Sequence, residues 1–193
     1  MLYLDDGTIG GDVSGLLLDL ETVRRSGRRI GLLLNEGKCE IVTDDADVVS
    51  EISAVLPAIR HVPCNESILL GAPIGDDTSV DAILNTKLAT FRLLTSRLTS
   101  LSAHDALYLL KICMPKLIYA LRCAACYKSA VLAEYDANIH NTLQLILNID
   151  LSEAAWSQAT LPVASGGLGV RLATDLALPA FLASVNGAAK LTL

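Results

Sequence analysis

Residues 1–9 read Met-Leu-Tyr-Leu-Asp-Asp-Gly-Thr-Ile, with two adjacent carboxylates, Asp5 and Asp6, and a glycine set between β-forming residues. An Asp-Gly pair in this setting is a strong signal for a β-hairpin. A tight turn would hold the two carboxylates close together, where they repel each other unless a cation neutralises them. Mg²⁺ suits such a pair of hard oxygen ligands, although Asp-Asp-Gly is also ordinary turn chemistry. The local sequence alone favours the ordinary turn over the metal site.

Strand and helix signals alternate from this stretch to residue 75. Apolar spacing at Leu16, Leu20 and Val23 predicts a first helix that Asp12 caps. The pattern continues with short strands, a second helix and a strand pair around a turn. The predicted ranges are helix 13–29, residues 32–34 and 39–43 as two short strands or one bent strand, helix 48–56 and the strand pair 68–75.

Beyond residue 75 the apolar periodicity is that of helices. The predicted helices cover 82–98, a stretch from 102 that Pro115 should kink, 132–147, a short run from 152, and 172–185. Thr78 with Asp81, and Ser102 with Asp105, have the spacing of capping boxes. The glycine-rich run 165–169 lacks the spacing of a phosphate-binding loop, so we expect a plain loop over 161–169. The fold class that follows is α+β.

The composition restricts the function classes. The 193 residues are 52% hydrophobic and carry a net charge of −6, which excludes a disordered chain and a strongly basic nucleic-acid binder. Residues 1–75 hold 6 basic and 12 acidic side chains, whereas residues 76–193 hold 9 of each. No signal peptide or membrane-spanning run is recognisable, so we expect no membrane and an intracellular location, nucleus or cytoplasm being indistinguishable. Five cysteines, an odd number, do not suit a disulfide framework, and Cys123-Ala-Ala-Cys126 lacks the two further ligands of a zinc site.

Three segments carry a resemblance to a known family. Tyr3-Leu-Asp-Asp6 resembles the Tyr-x-Asp-Asp metal-binding hairpin of reverse transcriptases. Gly31-Leu-Leu-Leu-Asn35, continued by Lys38-Cys-Glu40, is similar to the segment that follows the next helix in those polymerases. Leu70-Gly-Ala-Pro-Ile-Gly75 resembles the hairpin that grips the primer strand. A four-residue motif is weak evidence by itself, but here the three segments occur in the family's order and spacing.

The later part of the chain is similar to the helical thumb region of retrotransposon-type reverse transcriptases. The segments that carry this likeness are Leu101-x-x-His-Asp-Ala-Leu107, Pro115-Lys-Leu117, Glu134-Tyr-Asp136 and Leu161-Pro-x-x-x-Gly-Gly-Leu-Gly169. The Tyr-Leu-Asp-Asp-Gly-Thr run resembles that of non-LTR-like elements of animal genomes. The resemblance implies the C-terminal part of an RNA-directed DNA polymerase, with a partial palm over residues 1–75 and an all-α thumb-like region over residues 76–193.

The resemblance also implies roles for individual residues. Asp5 would be the metal-binding carboxylate of the hairpin, with Asp6 beside it, and the metal would be Mg²⁺ or Mn²⁺. Tyr3 would lie near the primer terminus, and Leu70-Gly71 would belong to the primer grip. Lys38 matches a lysine near the leaving pyrophosphate, where a cation or proton donor assists the reaction. The alternatives are an exposed strand-end lysine for Lys38 and a plain core hairpin for Leu70-Gly71.

The departure from the family lies upstream of the hairpin. In these polymerases the other metal-binding carboxylate, the nucleotide site and the fingers precede the hairpin, whereas here the hairpin comes first. We therefore expect nucleotidyl transfer only in a complete protein, with no activity and weak or no metal binding in these 193 residues alone. An RNA/DNA primer–template would be the partner, the dNTP site would be missing, and an exposed strand edge could support self-association. The alternative is a non-catalytic helical module, derived from a retroelement, that binds nucleic acid or protein.

Overall fold

A computed structural model describes residues 2–3, 6–113 and 115–189, without the side chains of residues 2, 3, 6, 115 and 116. The fold class is α+β, mostly helical with a few short strands. The chain divides into two units, Met1–Cys64 and Asn65–Leu193. This division lies earlier than the predicted boundary after residue 75, because the strand pair predicted at 68–75 packs with the later helices.

The described part of the first unit contains two α-helices and two short sheets. Its elements in chain order are β1 (Leu2–Tyr3), β2 (Asp6–Gly7), α1 (Val13–Arg29), β3 (Glu40–Val42), α2 (Ala46–Val55) and β4 (Arg60–Val62). Strands β3 and β4 are parallel, with Ile41 opposite His61, and α2 provides the crossover that parallel strands require. The predicted helices are confirmed, and the Asp12 carboxylate accepts from the Gly15 N–H at 2.8 Å to cap α1.

The core of the first unit is small. Three mutually packed side chains, Ile41, Ile52 and Leu56, are 7%, 1% and 2% exposed. Helix α1 places Val13, Leu16 and Leu20 against them, and the described part of this helix contains no fully buried residue. The unit therefore depends on a few apolar contacts.

The prediction of a strand at residues 32–34 is wrong. These three leucines form no strand and are 63%, 82% and 38% exposed. A β-forming run becomes a strand only where another strand satisfies its N–H and C=O groups. In the described residues β3 instead pairs with β4, whose residues 60–62 are too short and polar to be recognised as a strand.

The second unit, over the residues that the structure describes, is a helical bundle with one β-hairpin. Its elements are β5 (Ile68–Leu69), β6 (Ala72–Pro73), α3 (Asp77–Leu98), α4 (Ala103–Cys113), α5 (Pro115–Cys123), α6 (Val131–Leu147), α7 (Glu153–Thr160) and α8 (Ala173–Ala189). Helix α3 packs along α6, and α5 packs along α8. The side chains at the centre of the bundle are fully buried, among them Leu84, Leu88, Leu110, Leu121, Leu132, Ile139 and Leu143.

The start of α3 differs from the prediction in its cap. Asp76 is the N-cap, where the prediction had Thr78, and its carboxylate accepts from the Ser79 N–H at 3.0 Å and the Thr78 hydroxyl at 2.6 Å. These donors, led by the Thr78 hydroxyl, lower the pKa of Asp76 to about 2. An aspartate two residues upstream provides a better acceptor than the Thr78 hydroxyl. The helix therefore begins at Asp77, earlier than periodicity indicated.

The N-terminus of α8 is held by a side chain from another helix. Asp136 of α6 accepts from the backbone N–H of Ala173 at 2.6 Å and of Thr174 at 3.1 Å, and from the Thr174 hydroxyl at 2.6 Å. The first N–H groups of a helix have no partner within the helix, so a carboxylate there satisfies them and also interacts well with the helix dipole. Asp136 thus fixes α8 to α6.

We expect Asp136→Ala to destabilise the helical unit by about 1–3 kcal/mol, because three hydrogen bonds to one carboxylate are lost. Urea unfolding followed by the fluorescence of Trp156, the single tryptophan, measures the change. Asp150→Ala is the matched control, because Asp150 is exposed and takes part in no hydrogen bond among the described residues. Equal unfolding midpoints for the two variants would contradict the capping role.

Candidate functional site

The first predicted site is the hairpin at residues 2–7. Strands β1 and β2 pair antiparallel, with Tyr3 opposite Asp6 and Leu2 opposite Gly7. The predicted hairpin is therefore present, but Asp6 and Gly7 lie in its second strand and not in the turn. Asp5, the predicted metal ligand, lies outside the described residues, as do the side chains of Tyr3 and Asp6.

The described residues hold no cluster of three or more His, Cys, Asp or Glu that could bind a metal ion. That statement does not cover Asp5, so metal binding by the hairpin stays a prediction. The donor chemistry of Asp5 and Asp6, two carboxylates, is of the kind that Mg²⁺ takes, but two adjacent residues supply only part of a coordination shell.

Lys38 lies at the end of a single 3₁₀ turn, Glu36–Lys38, directly before β3. Its side chain is exposed, and the turn is tied to α1 by an ion pair between Arg24 and Glu36. The next residue, Cys39, is half-buried, and this burial, followed by the nearby Glu36 charge, raises the pKa of its thiol. The structure thus presents Lys38 on a fixed, solvent-facing turn, which is compatible with both of its predicted interpretations.

The second predicted site, Leu70-Gly71, is the two-residue turn of the β5–β6 hairpin. Leu69 pairs with Ala72, and Leu70 and Gly71 have φ angles of +50° and +81°. Positive φ at both central residues is the geometry of a type I′ turn, which matches the twist of the flanking strands. The Ile74 N–H donates to the Ser67 carbonyl at 3.1 Å and extends the pairing. The strand pair predicted at 68–75 is therefore confirmed, with its turn at Leu70-Gly71.

Both faces of this hairpin combine buried and exposed side chains, because Ile68 lies opposite Pro73 and Ile74 bonds Ser67. Ser67 and Pro73 are buried, whereas Ile68 and Ile74 are 53% and 57% exposed. The turn is also accessible, since Leu70 is 37% exposed. An exposed apolar hairpin tip is an accessible contact surface.

The turn is anchored by a residue that sequence reasoning missed. The hydroxyl of Tyr119, on α5, donates to the Leu70 carbonyl at 2.6 Å. The two residues are far apart in the chain, and Tyr119 belongs to the exposed side of its helix, so no local signal marks it.

The glycine-rich run 165–169 uses its backbone amides internally. Ser165 and Gly167 donate to the Pro162 carbonyl at 2.8 and 3.2 Å, and Gly169 donates to the Leu161 carbonyl at 2.9 Å. Gly166 and Leu168 also donate to backbone carbonyls. A phosphate-binding loop needs free N–H groups aimed at the ligand, so this run closes the chain on itself, as expected of a plain loop.

The five cysteines, all within the described part of the chain, form no disulfide. Cys126 is buried, its Sγ lies 3.4 Å from the Ala120 carbonyl oxygen, and burial raises the pKa of its thiol to about 11. Cys123 is exposed, so the Cys-x-x-Cys pair spans two different environments. A structural role fits Cys126, in line with the small hydrophobe that a buried thiol resembles.

The described helices include none that is both long enough and apolar enough to span a membrane. Comparison of the chain with protein-family models, with curated proteins and with solved structures gives no match.

Proposed function

We propose that the chain is the C-terminal part of an RNA-directed DNA polymerase of the non-LTR retrotransposon type, comprising the end of the palm and the thumb. The observation that supports this most is the tight β5–β6 turn at Leu70-Gly71, the position that the resemblance assigns to the primer grip. The order of elements also agrees with the resemblance: a hairpin with Tyr-x-Asp-Asp, a helix, a turn with Lys38 before a strand, a second hairpin, and helices.

In the complete polymerase Asp5 and Asp6 would hold Mg²⁺, which stabilises the developing negative charge of nucleotidyl transfer. Lys38 would act near the pyrophosphate as a cation or proton donor. Leu70-Gly71 would contact the primer strand and fix its position. Phosphoryl transfer depends mostly on positioning and charge stabilisation, so a primer contact is a catalytic necessity in such an enzyme.

Site-specific photocrosslinking tests the primer contact. A chain with p-benzoyl-phenylalanine in place of Leu70 is mixed at low salt with an RNA template annealed to a labelled DNA primer, because electrostatic binding weakens as salt rises. We expect the labelled primer to crosslink at position 70. The same replacement at Leu145, on α6 and 67% exposed, is the matched control and should give little adduct.

Equal primer crosslinking at positions 70 and 145, or none at either with the duplex in excess, would contradict the proposal. Crosslinking at 70 to the template strand alone would contradict the primer-grip assignment.

A non-catalytic helical binding module is the second candidate. What favours it is the core of the second unit, which runs from Val80 to Ala177 and draws on all six of its helices. A module that binds protein would give no primer adduct at Leu70, so the crosslinking experiment separates this form of the second candidate from the polymerase.

A further inference from the structure

The turn at Leu70-Gly71 is energetically unfavourable for its own sequence. Leu70 has φ +50°, in the left-handed region that is energetically costly for residues with a Cβ. Gly71, at φ +81°, adopts its conformation without that cost. A type I′ turn usually carries Asn or Asp at the first of these positions. A leucine there needs compensation from outside the hairpin.

Tyr119 provides that compensation in two ways. Its hydroxyl donates to the Leu70 carbonyl at 2.6 Å, a short hydrogen bond to the strained residue itself. Its ring lies alongside the turn, with Cε1 3.8 Å from the position a Cβ would occupy on Gly71. Strand β6 also packs against α5, so the helix that carries Tyr119 contacts the hairpin at its second strand as well as at its turn.

The hairpin belongs to the helical unit by these contacts. Residues 65–193 form one unit, and β6 packs on α3 as well as on α5. The turn itself is exposed at both Leu70 and Gly71. The bond from Tyr119 therefore ties an exposed part of the hairpin to α5.

We propose that Tyr119 is a positioning residue that holds Leu70-Gly71 in the geometry needed to contact a primer strand. This inference rests on the proposed function, since it assigns the turn to primer contact. Tyr119 acts through the Leu70 carbonyl, so its own side chain need not touch the nucleic acid.

The first measurement is independent of nucleic acid. Amide hydrogen exchange at Ile74, whose N–H bonds the Ser67 carbonyl across the hairpin, reports how often the hairpin opens. We expect Tyr119→Phe, which keeps the ring and removes the hydroxyl, to accelerate this exchange about 2- to 10-fold. Tyr108→Phe on α4 is the matched control and should leave it unchanged, because the Tyr108 hydroxyl makes no hydrogen bond among the described residues and the side chain is 64% exposed.

The second measurement uses the photocrosslinker at position 70 with the same RNA–DNA primer–template. We expect Tyr119→Phe to lower the primer adduct per bound duplex by about 2-fold or more. A change of about 2-fold is at the lower end of the effect expected when one hydrogen bond is lost. The dissociation constant of the duplex should stay within about 2-fold, since phosphate contacts dominate affinity.

The outcomes separate this inference from the proposed function. Unchanged exchange in Tyr119→Phe overturns the inference whether or not the duplex binds. Faster exchange with an unchanged primer adduct would assign Tyr119 a purely structural role, and this outcome also overturns the inference. Absence of any primer adduct in the parent chain overturns the proposed function, and with it the positioning role, even when the exchange result is as expected.

Discussion

Gly167→Ala is expected to destabilise the helical unit by about 2–4 kcal/mol. A Cβ at this position would lie 2.1 Å from the Leu161 carbonyl oxygen and 2.6 Å from that of Gln158. Both atoms belong to the backbone, so neither can rotate away as a flexible side chain would. Relief requires the run 165–169 to move, which breaks the hydrogen bonds from Leu168 and Gly169 to residues 159 and 161.

Trp156 makes this effect measurable. It lies on α7, just before the glycine-rich run, with its ring edge-on to His140 at a centroid distance of 4.7 Å. Its fluorescence during urea unfolding therefore reports on the part of the structure that Gly167→Ala disturbs. We expect a lower unfolding midpoint, with the slope against urea unchanged if the native fold is kept.

Gly187→Ala is the control, because it makes the same chemical change in a helix. Apart from the nearby backbone of its own helix, no atom of the described residues lies within 4 Å of a Cβ built at Gly187, and alanine favours the helical conformation by up to about 1 kcal/mol. This variant should be as stable as the parent chain or slightly more so. Equal midpoints for the two variants would show that the run 165–169 is loosely packed, contrary to the structure.

The helices were largely predictable because their apolar spacing and their caps agree. Helix α1 runs over the predicted range 13–29, and α6 begins one residue before the predicted 132. Ser152, at the start of the predicted run, caps α7 through the Ala155 N–H at 3.3 Å. Periodicity and capping are both local properties, so they can be read without knowing the tertiary structure.

The strands were less predictable because each depends on a partner elsewhere. The apolar run 32–34 has β-forming residues but no partner strand among the described residues, whereas Arg60–Val62 forms a strand beside Glu40–Val42. In that pair Arg60 lies opposite Glu40, and their side chains form an ion pair at 2.6 Å. Pairing of this kind is a tertiary property, which single-sequence patterns do not contain.

In the candidate site, too, local features were predictable from the sequence and tertiary contacts were not. The Leu70-Gly71 turn was predictable because a glycine between β-forming residues is a local signal. Tyr119 was not, because its role arises only when α5 packs against the hairpin. The proposed roles of Asp5, Asp6 and Lys38 come from a resemblance, and the described residues neither support nor oppose them.

Ile52→Ala is expected to unfold the first unit at room temperature. Ile52 is 1% exposed and packs with Ile41 and Leu56 in a cluster of three buried side chains. Truncating a buried isoleucine to alanine costs about 2–5 kcal/mol. Domains of about 60 residues are marginally stable, so a loss of this size is comparable to the whole free energy of unfolding. Amide exchange at Arg60, whose N–H bonds the Cys39 carbonyl at 3.0 Å next to the β3–β4 pair, should become as fast as in an unfolded chain.

Val55→Ala on the same helix separates lost packing from a general effect on α2. Val55 is 51% exposed, so its truncation removes little buried surface and should cost less than about 0.5 kcal/mol. Alanine also has the higher helix propensity, which offsets part of that cost. Slow exchange at Arg60 is therefore expected in Val55→Ala and not in Ile52→Ala. Equally slow exchange in both variants would mean that contacts outside the cluster of Ile41, Ile52 and Leu56 determine the stability of the first unit.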